Sequence, residues 1–509
     1  MVDSPWSISK MDYVKQVGLL YSSLFTVDKL IFTMVYGLST MDSTPPMNKA
    51  IQWLRLQLKR SFDRIRNENL KKNALQAIPF WIASVITGLV AVLYTKLFVG
   101  AEDLTVLVIK YNIWLLFILS PVCFILAWWL VQRYAPYARG SGIPQVMAAI
   151  QVSSPKTIRV VDKLLGFRII FIKVLSSLVM ALGGGAIGRE GPTIQIAASV
   201  YKIVYQLLPK WWPKIAKRNM MVTGAAAGLA AAFNTPLGGI VFAIEELTKT
   251  HFSYYKTAIF SSVIIAGLSA QALLGPYLYL GYPKLDGLSA SIFFGVALVA
   301  IIAGLAGSGM SKLILFILKL KARFKFKYQH VLYVIGCALA MVFLAIFVNT
   351  EVLGSGKEIM QTTLFTSAKY VHWYTPILRI GGPLFSFTTG AAGGIFAPAL
   401  GAGASVGSLV ASWFKVSDID TNMLILSGMV GFLTGVTRSP FTSVILVLEM
   451  TDRHNVIFHL ILAGMLASLV SILIDKHSLY DHLKVQYIKE LTAVEEAQQP
   501  EQVEPRIDP

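Results

Sequence analysis

The chain is poor in charge and in cysteine. Only 14% of its 509 residues are Asp, Glu, Lys or Arg, while 55% are hydrophobic. A soluble protein of this length carries more charge and fewer long apolar runs, so a soluble globular fold is excluded. Its two cysteines, Cys123 and Cys337, sit inside apolar runs and offer neither a disulfide framework nor a CxxC pair. The seven histidines form no HExxH motif and no close metal-ligand pair; His454 and His459 are five apart, poor spacing for one helical face. There is no P-loop, so ATP-driven transport would need another subunit, and no nucleophile–base pair of an intramembrane hydrolase. The reading is a protein that is not an enzyme and needs no metal or cofactor. No convincing cleavable signal opens the chain: Val17–Tyr36 is apolar but broken by Asp28 and Lys29. That stretch fits an amphipathic surface helix or translation from an upstream start.

What the chain has is a series of apolar runs near bilayer-spanning length: Ile78–Val99, Tyr111–Val131, Ala258–Leu274, Ser289–Gly307, Val331–Val348, Leu424–Val436 and Ile457–Ile474. Some are too short to span alone. The net charge of +18 would suggest nucleic acid in a soluble protein. Here Lys and Arg gather in loops, as cytoplasmic loops of membrane proteins require, so the expected partner is membrane lipid and not nucleic acid. The basic segment Lys49–Lys72 is expected in the cytoplasm as an amphipathic helix, and the acidic loop Gly100–Leu104 outside. Lys319–Lys327 returns to the cytoplasm, and Pro276–Leu288 lies outside.

An internal repeat is legible. Thr223-Gly224, Thr235-Pro236 and Glu245 recur as Ser427-Gly428, Ser439-Pro440 and Glu449, each offset by 204 residues. Repeats of this kind mark transporter folds whose halves insert with opposite topology, with binding sites between the halves near the midplane.

Three Gly-rich turns lead through Pro into apolar helix-forming runs: 140–144 (GSGIP), 183–192 (GGGAIGREGP) and 390–398 (GAAGGIFAP). Pro is tolerated in a first helical turn, where its missing N–H would be an orphan. Each motif therefore predicts a helix that begins inside the membrane. A helix N-terminus offers unpaired N–H groups and about half a positive charge, and several converging ends can hold an anion without a full cation. Dipoles and hydroxyls offset dehydration yet still release the ion, which suits transport.

GSGIP at 140–144, GREGP at 188–192 and GGIFAP at 393–398 resemble the three signature motifs of the CLC chloride channel and transporter family. The resemblance covers roughly residues 75–483 and includes 224–228 (GAAAG), 233–236 (FNTP) and 446–452 (LVLEMTD). It implies an all-α polytopic membrane protein of two inverted-topology repeats with tilted and broken helices, assembled as a homodimer with one pathway per subunit. It implies that Ser141 supplies a hydroxyl at the central chloride site, that Ile395 and Phe396 supply backbone N–H groups, and that Tyr480 completes the site. Gly140, Gly142, Pro144, Arg189 and Gly394 support it. Ser141, where nitrate-preferring members carry Pro, leans towards chloride; the fluoride-selective branch departs from GSGIP and is resembled less. Lys173 and Arg379 fall where members keep basic residues near the pathway. Lys173 would raise the local positive potential or pair with a buried carboxylate.

Glu190 matches the family's external gate. A carboxylate beside bound chloride is repelled in a low dielectric. Protonated, it can leave the pathway; ionised, it can occupy an anion position itself, which links proton to anion movement. The family holds both passive channels and exchangers. Glu246, the second of the pair Glu245-Glu246, aligns with the internal proton-transfer glutamate of exchangers, while Met450 takes its place in the second half. Glu245 recurs as Glu449 and reads as structural. The expected function is chloride/proton exchange by secondary active transport; the alternative is a passive CLC-type chloride channel.

The expected organisation is an N-terminal extension of unknown role (1–45), a cytoplasmic amphipathic helix (46–73), a first transmembrane repeat (74–250), a second (251–483) and a disordered cytoplasmic tail (484–509). That tail is too short for paired regulatory nucleotide-binding domains. The expected location is a bacterial inner membrane, multi-pass, with both termini cytoplasmic.

Overall fold

The computed structural model describes residues 68–153, 158–209, 211–248, 256–275 and 279–496. The extension 1–45 and nearly all of the segment 46–73 lie outside the described residues. Among the described residues the chain is helical, without a regular strand. The helices are α1 Glu68–Asn112, α2 Leu116–Tyr134, α3 Ile143–Gln151, α4 Ile158–Leu164, α5 Phe167–Leu182, α6 Glu190–Leu207, α7 Lys217–Phe233, α8 Pro236–Phe242 and α9 Lys256–Leu274. They continue with α10 Ile292–Lys321, α11 Lys327–Phe347, α12 Lys357–Phe365, α13 Thr375–Thr388, α14 Phe396–Phe414, α15 Asp418–Thr437, α16 Pro440–Thr451, α17 Ile457–Ile474 and α18 Leu479–Glu496.

Eight helical segments among the described residues are long and apolar enough to cross a bilayer, and the chain is a multi-pass membrane protein. They divide by what surrounds them. The apolar windows of α14 and α15 are 83% and 94% buried inside the protein, against 28% for the segment containing α17. The outer helices turn exposed Ile118, Phe294, Phe458 and Leu473 outwards, as lipid-facing surfaces do, while their backbone groups are satisfied within each helix. The inner pair packs through small residues. A methyl group on Gly403 or Gly407 of α14 would strike the α15 backbone at Gly428 or Leu424. That close approach is how membrane helices gain contact without a hydrophobic drive.

The 204-residue repeat holds at the level of backbone geometry. α7 ends at Phe233 and α15 at Thr437. Each is followed by a left-handed residue, Asn234 (φ 57°) or Arg438 (φ 63°), and then by a new helix opened by Pro236 or Pro440. Pro lacks the donor that an interior turn needs and disfavours a helical conformation in the residue before it, so both breaks come from the same local chemistry.

Two expectations are corrected. Gly100–Leu104 is not a loop: α1 runs unbroken through it. At about 1.5 Å per residue its 45 residues exceed a bilayer's thickness. Its last turns have partners that hold them helical: Thr105 Oγ1 donates to the Ala181 and Leu182 carbonyls at the end of α5, and Glu102 Oε1 accepts from Ser355 N at 3.0 Å. The tail expected from 484 is helical to Glu496 in α18, whose Tyr487 and Leu491 are buried; residues 497–509 lie outside the described residues.

Candidate functional site

The three Gly-Pro segments open α3, α6 and α14, and backbone bridges stitch their loops together. Gly140 N donates to Ala391 O at 2.8 Å and Gly393 N to Gly140 O at 3.0 Å, joining the first loop to the third. Gly188 and Gly394 exchange two hydrogen bonds of 2.7 Å, joining the second to the third. Gly142, the residue before α3, takes φ 102°, a left-handed conformation that favours glycine. Pro144 and Pro192 then fall in the first turns of their helices, and Pro398 in that of α14. Gly191 is where two helix starts touch: a Cβ there would collide with Ser141 Oγ and the Ser141 carbonyl.

The structure brings Glu190, Ser141, Ile395, Phe396 and Tyr480 together, all buried. Ile395 caps α14, and Phe396 is its first residue; their N–H groups precede any intrahelical acceptor. The Phe396 ring stacks on Tyr480 with centroids 6.1 Å apart and planes at 10°. The Ser141 and Tyr480 hydroxyls lie within reach of each other, and neither has another hydrogen-bond partner among the described residues. Buried hydroxyls normally find one, so two of them beside helix N-termini suit a small anion.

Glu190 opens α6, and its carboxyl folds back over Gly188: a methyl group on that glycine would meet Glu190 Oε2, Ala397 and Pro398. The other oxygen, Oε1, accepts from the Tyr279 hydroxyl at 3.3 Å. Arg189, also buried, lies over the Tyr279 ring.

Glu246 is buried, with only 4% of its surface exposed. It lies within a π-helical turn that follows α8, and Ser439 Oγ donates to its Oε2 at 2.6 Å. On one side it joins Phe242, Phe396, Thr437 and Tyr480 around a tight, largely apolar chamber. On the other it lines a cavity of about 320 Å³ with Arg218, Thr248 and Lys484.

Lys173 and Arg379 are both buried, and backbone carbonyls surround each. Lys173 Nζ donates to the carbonyls of Ala138 at 2.9 Å and Gly140 at 2.7 Å. It therefore holds the loop that carries Ser141, and these partners are carbonyls where a carboxylate was one expectation. Arg379 donates to the carbonyls of Glu351, Leu353 and Gly354 in the loop before α12. A buried cation solvated by carbonyls can stay inside the protein without a counter-ion beside it.

Sequence reasoning missed Tyr279 and Ser439. Ser439 was in view as a landmark of the repeat, and its position before a helix-opening Pro could have marked it. Tyr279 carries no local signal, being 89 residues from its partner Glu190.

A family model described as voltage gated chloride channel matches residues 122–472. The chain is 29% identical over 402 residues to an H(+)/Cl(−) exchange transporter of Cronobacter sakazakii (strain ATCC BAA-894), covering 77% of this chain and 84% of the relative. It is 28% identical over 460 residues to that of Citrobacter koseri (strain ATCC BAA-895 / CDC 4225-83 / SGSC4696), covering 86% and 94%. Among solved structures it superposes on a slow cyanobacterial Cl−/H+ antiporter with TM-score 0.70 at 23% identity, over 82% of this chain and 98% of the other. A CLC-type fluoride/proton antiporter gives TM-score 0.67 at 20% identity, over 82% and 98%. At these identities the two structures establish the fold. With the family model spanning more than half its length, this all-helical membrane protein belongs to the voltage gated chloride channel family and has the CLC fold.

Proposed function

We propose that the protein exchanges chloride for protons across a bacterial inner membrane, as a homodimer with one pathway per subunit and both termini in the cytoplasm. Residues 74–250 and 251–483 form the two repeats, and the pathway runs between them. Chloride is held by the Ser141 and Tyr480 hydroxyls and by the N–H groups of Ile395 and Phe396, at a site supported by Gly140, Gly142, Pro144, Arg189 and Gly394. Glu190 gates the external side and accepts the proton there; Glu246 passes protons on the internal side.

The observation that carries this reading is the position of Glu246. One buried carboxyl borders both the tight chamber at Phe396 and Tyr480 and the 320 Å³ cavity beyond it. A proton entering from that cavity can load Glu246 while chloride takes a separate route past Ser141, and a general acid–base group does its work within hydrogen-bond reach. The curated relatives named as exchange transporters support the same reading.

The test is proton movement driven by a chloride gradient in liposomes holding the purified protein, with external pH followed. The expected result is uphill proton movement in the wild type, abolished in Glu190→Gln with some chloride flux remaining. Chloride flux without uphill protons in the wild type would sink exchange and indicate a passive channel.

A further inference from the structure

Tyr279 lies in the segment before α10, is buried, and donates to Glu190 Oε1. Several elements fix it. Its ring meets Phe233 of α7 edge-to-face, with centroids 5.1 Å apart and planes at 76°. The next residue, Leu280, donates its N–H to the Met450 carbonyl near the end of α16 at 3.2 Å. The Arg189 guanidinium lies 5.9 Å from the ring centroid and the Lys357 ammonium 5.1 Å. Both are within cation–π range. Cations over a phenol ring withdraw electron density from it and make its hydroxyl a better donor. The phenol is thus a rigid, polarised donor aimed at one carboxyl oxygen, and the exchange mechanism gives it no task.

We propose that Tyr279 is a positioning residue that latches Glu190: its hydroxyl holds the carboxyl in the seated position over Gly188 and slows each departure of the gate. The inference rests on the reading of Glu190 as that gate. A hydrogen bond to a carboxylate favours the ionised, seated form, and that form must give up the bond before Glu190 can leave. Its removal should quicken opening and let the gate open at higher pH. The charged and titratable groups acting on Glu190 besides this hydroxyl are Arg189 immediately before its helix, Glu102 and Tyr94 of α1, Lys357 of α12 and Tyr480 of α18. Tyr279→Phe leaves all of them in place, so a moved pH profile belongs to the hydroxyl.

The experiment measures chloride turnover against external pH in liposomes for wild type, Tyr279→Phe, Glu190→Gln and the double variant. Tyr279→Phe is expected to raise turnover at neutral pH roughly three- to tenfold, the weight of one such hydrogen bond. It should also shift the midpoint of the turnover–pH curve upward by about 0.5–1 unit. In the Glu190→Gln background the same substitution should change neither quantity. A second variant, Tyr279→Leu, removes the ring as well and should show the same midpoint shift with an added loss of thermal stability. A midpoint unmoved in both folded variants overturns the latch, even where Glu190→Gln abolishes proton coupling. Glu190→Gln with wild-type coupling overturns the gate reading itself, whatever Tyr279 does.

Discussion

Glu245 and Glu449 cap each other's half of the molecule. The Glu245 carboxylate accepts from the N–H groups of Phe441 and Thr442 at the start of α16. The Glu449 carboxylate accepts from Leu237 and Gly238 at the start of α8. Donors and acceptors alike are 204 residues apart, so one interaction is made twice about a two-fold relation between the repeats. A carboxylate at a helix N-terminus satisfies orphan donors and meets the positive end of the helix dipole. Glu449→Ala should therefore lower stability by about 1–3 kcal/mol, read as a fall in the thermal unfolding midpoint in detergent. Glu449→Gln, which keeps one good acceptor, should fall between the two.

Glu246→Gln should separate the two ions. The amide keeps the shape and still accepts from Ser439, but it carries no proton at ordinary pH. Uphill proton movement driven by chloride is expected to fall roughly tenfold or more, the usual weight of a placed acid–base group, while chloride flux persists. Unchanged coupling in a flux assay would reduce Glu246 to a structural hydrogen-bond acceptor.

Lys173→Met keeps the volume of the side chain and removes both of its hydrogen bonds. The Ala138 and Gly140 carbonyls on either side of the loop's entrance lose a charged donor, at about 1–3 kcal/mol for each buried group left unmet. The Ser141 loop should loosen, and chloride binding measured by calorimetry should weaken roughly tenfold. Arg379→Met acts on the loop at 351–354 and should change chloride affinity less; an equal loss would mean that both act through general destabilisation.

Arg139 donates to both oxygens of Glu490 at 2.6 Å and lies over the Tyr487 ring, which ties α18 to the Ser141 loop. Both partners are partly exposed, at 26% and 34%, so solvent screening limits the pair to about 1 kcal/mol or less. A double-mutant cycle on Arg139→Ala and Glu490→Ala, followed by thermal unfolding, should show that coupling at low salt and lose most of it at high salt. A coupling indifferent to salt would assign the contact to packing on Tyr487.

The helix starts could be read along the chain because their causes are local. Gly142 and Pro144, or Asn234 and Pro236, set their own backbone within a few residues, and steric limits and a missing donor act in an unfolded chain as in a folded one. The same holds for the apolar runs and the repeat. The membrane class, the three helix openings and the identity of Glu190, Ser141 and Phe396 as site candidates were therefore accessible from the sequence by itself.

Partnership was not. The acidic stretch at Glu102 looks like a loop until Ser355, 253 residues away, supplies a donor to it. The task of Lys173 depends on which carbonyls face a buried ammonium, and that of Tyr279 on a contact spanning 89 residues. In a low-dielectric interior a polar group must find whatever partner packing brings near it. The sequence by itself determined where helices begin and which side chains were candidates for the chemistry. Only the tertiary structure decided what each buried charge is bound to, because those partners meet only once the helices have packed.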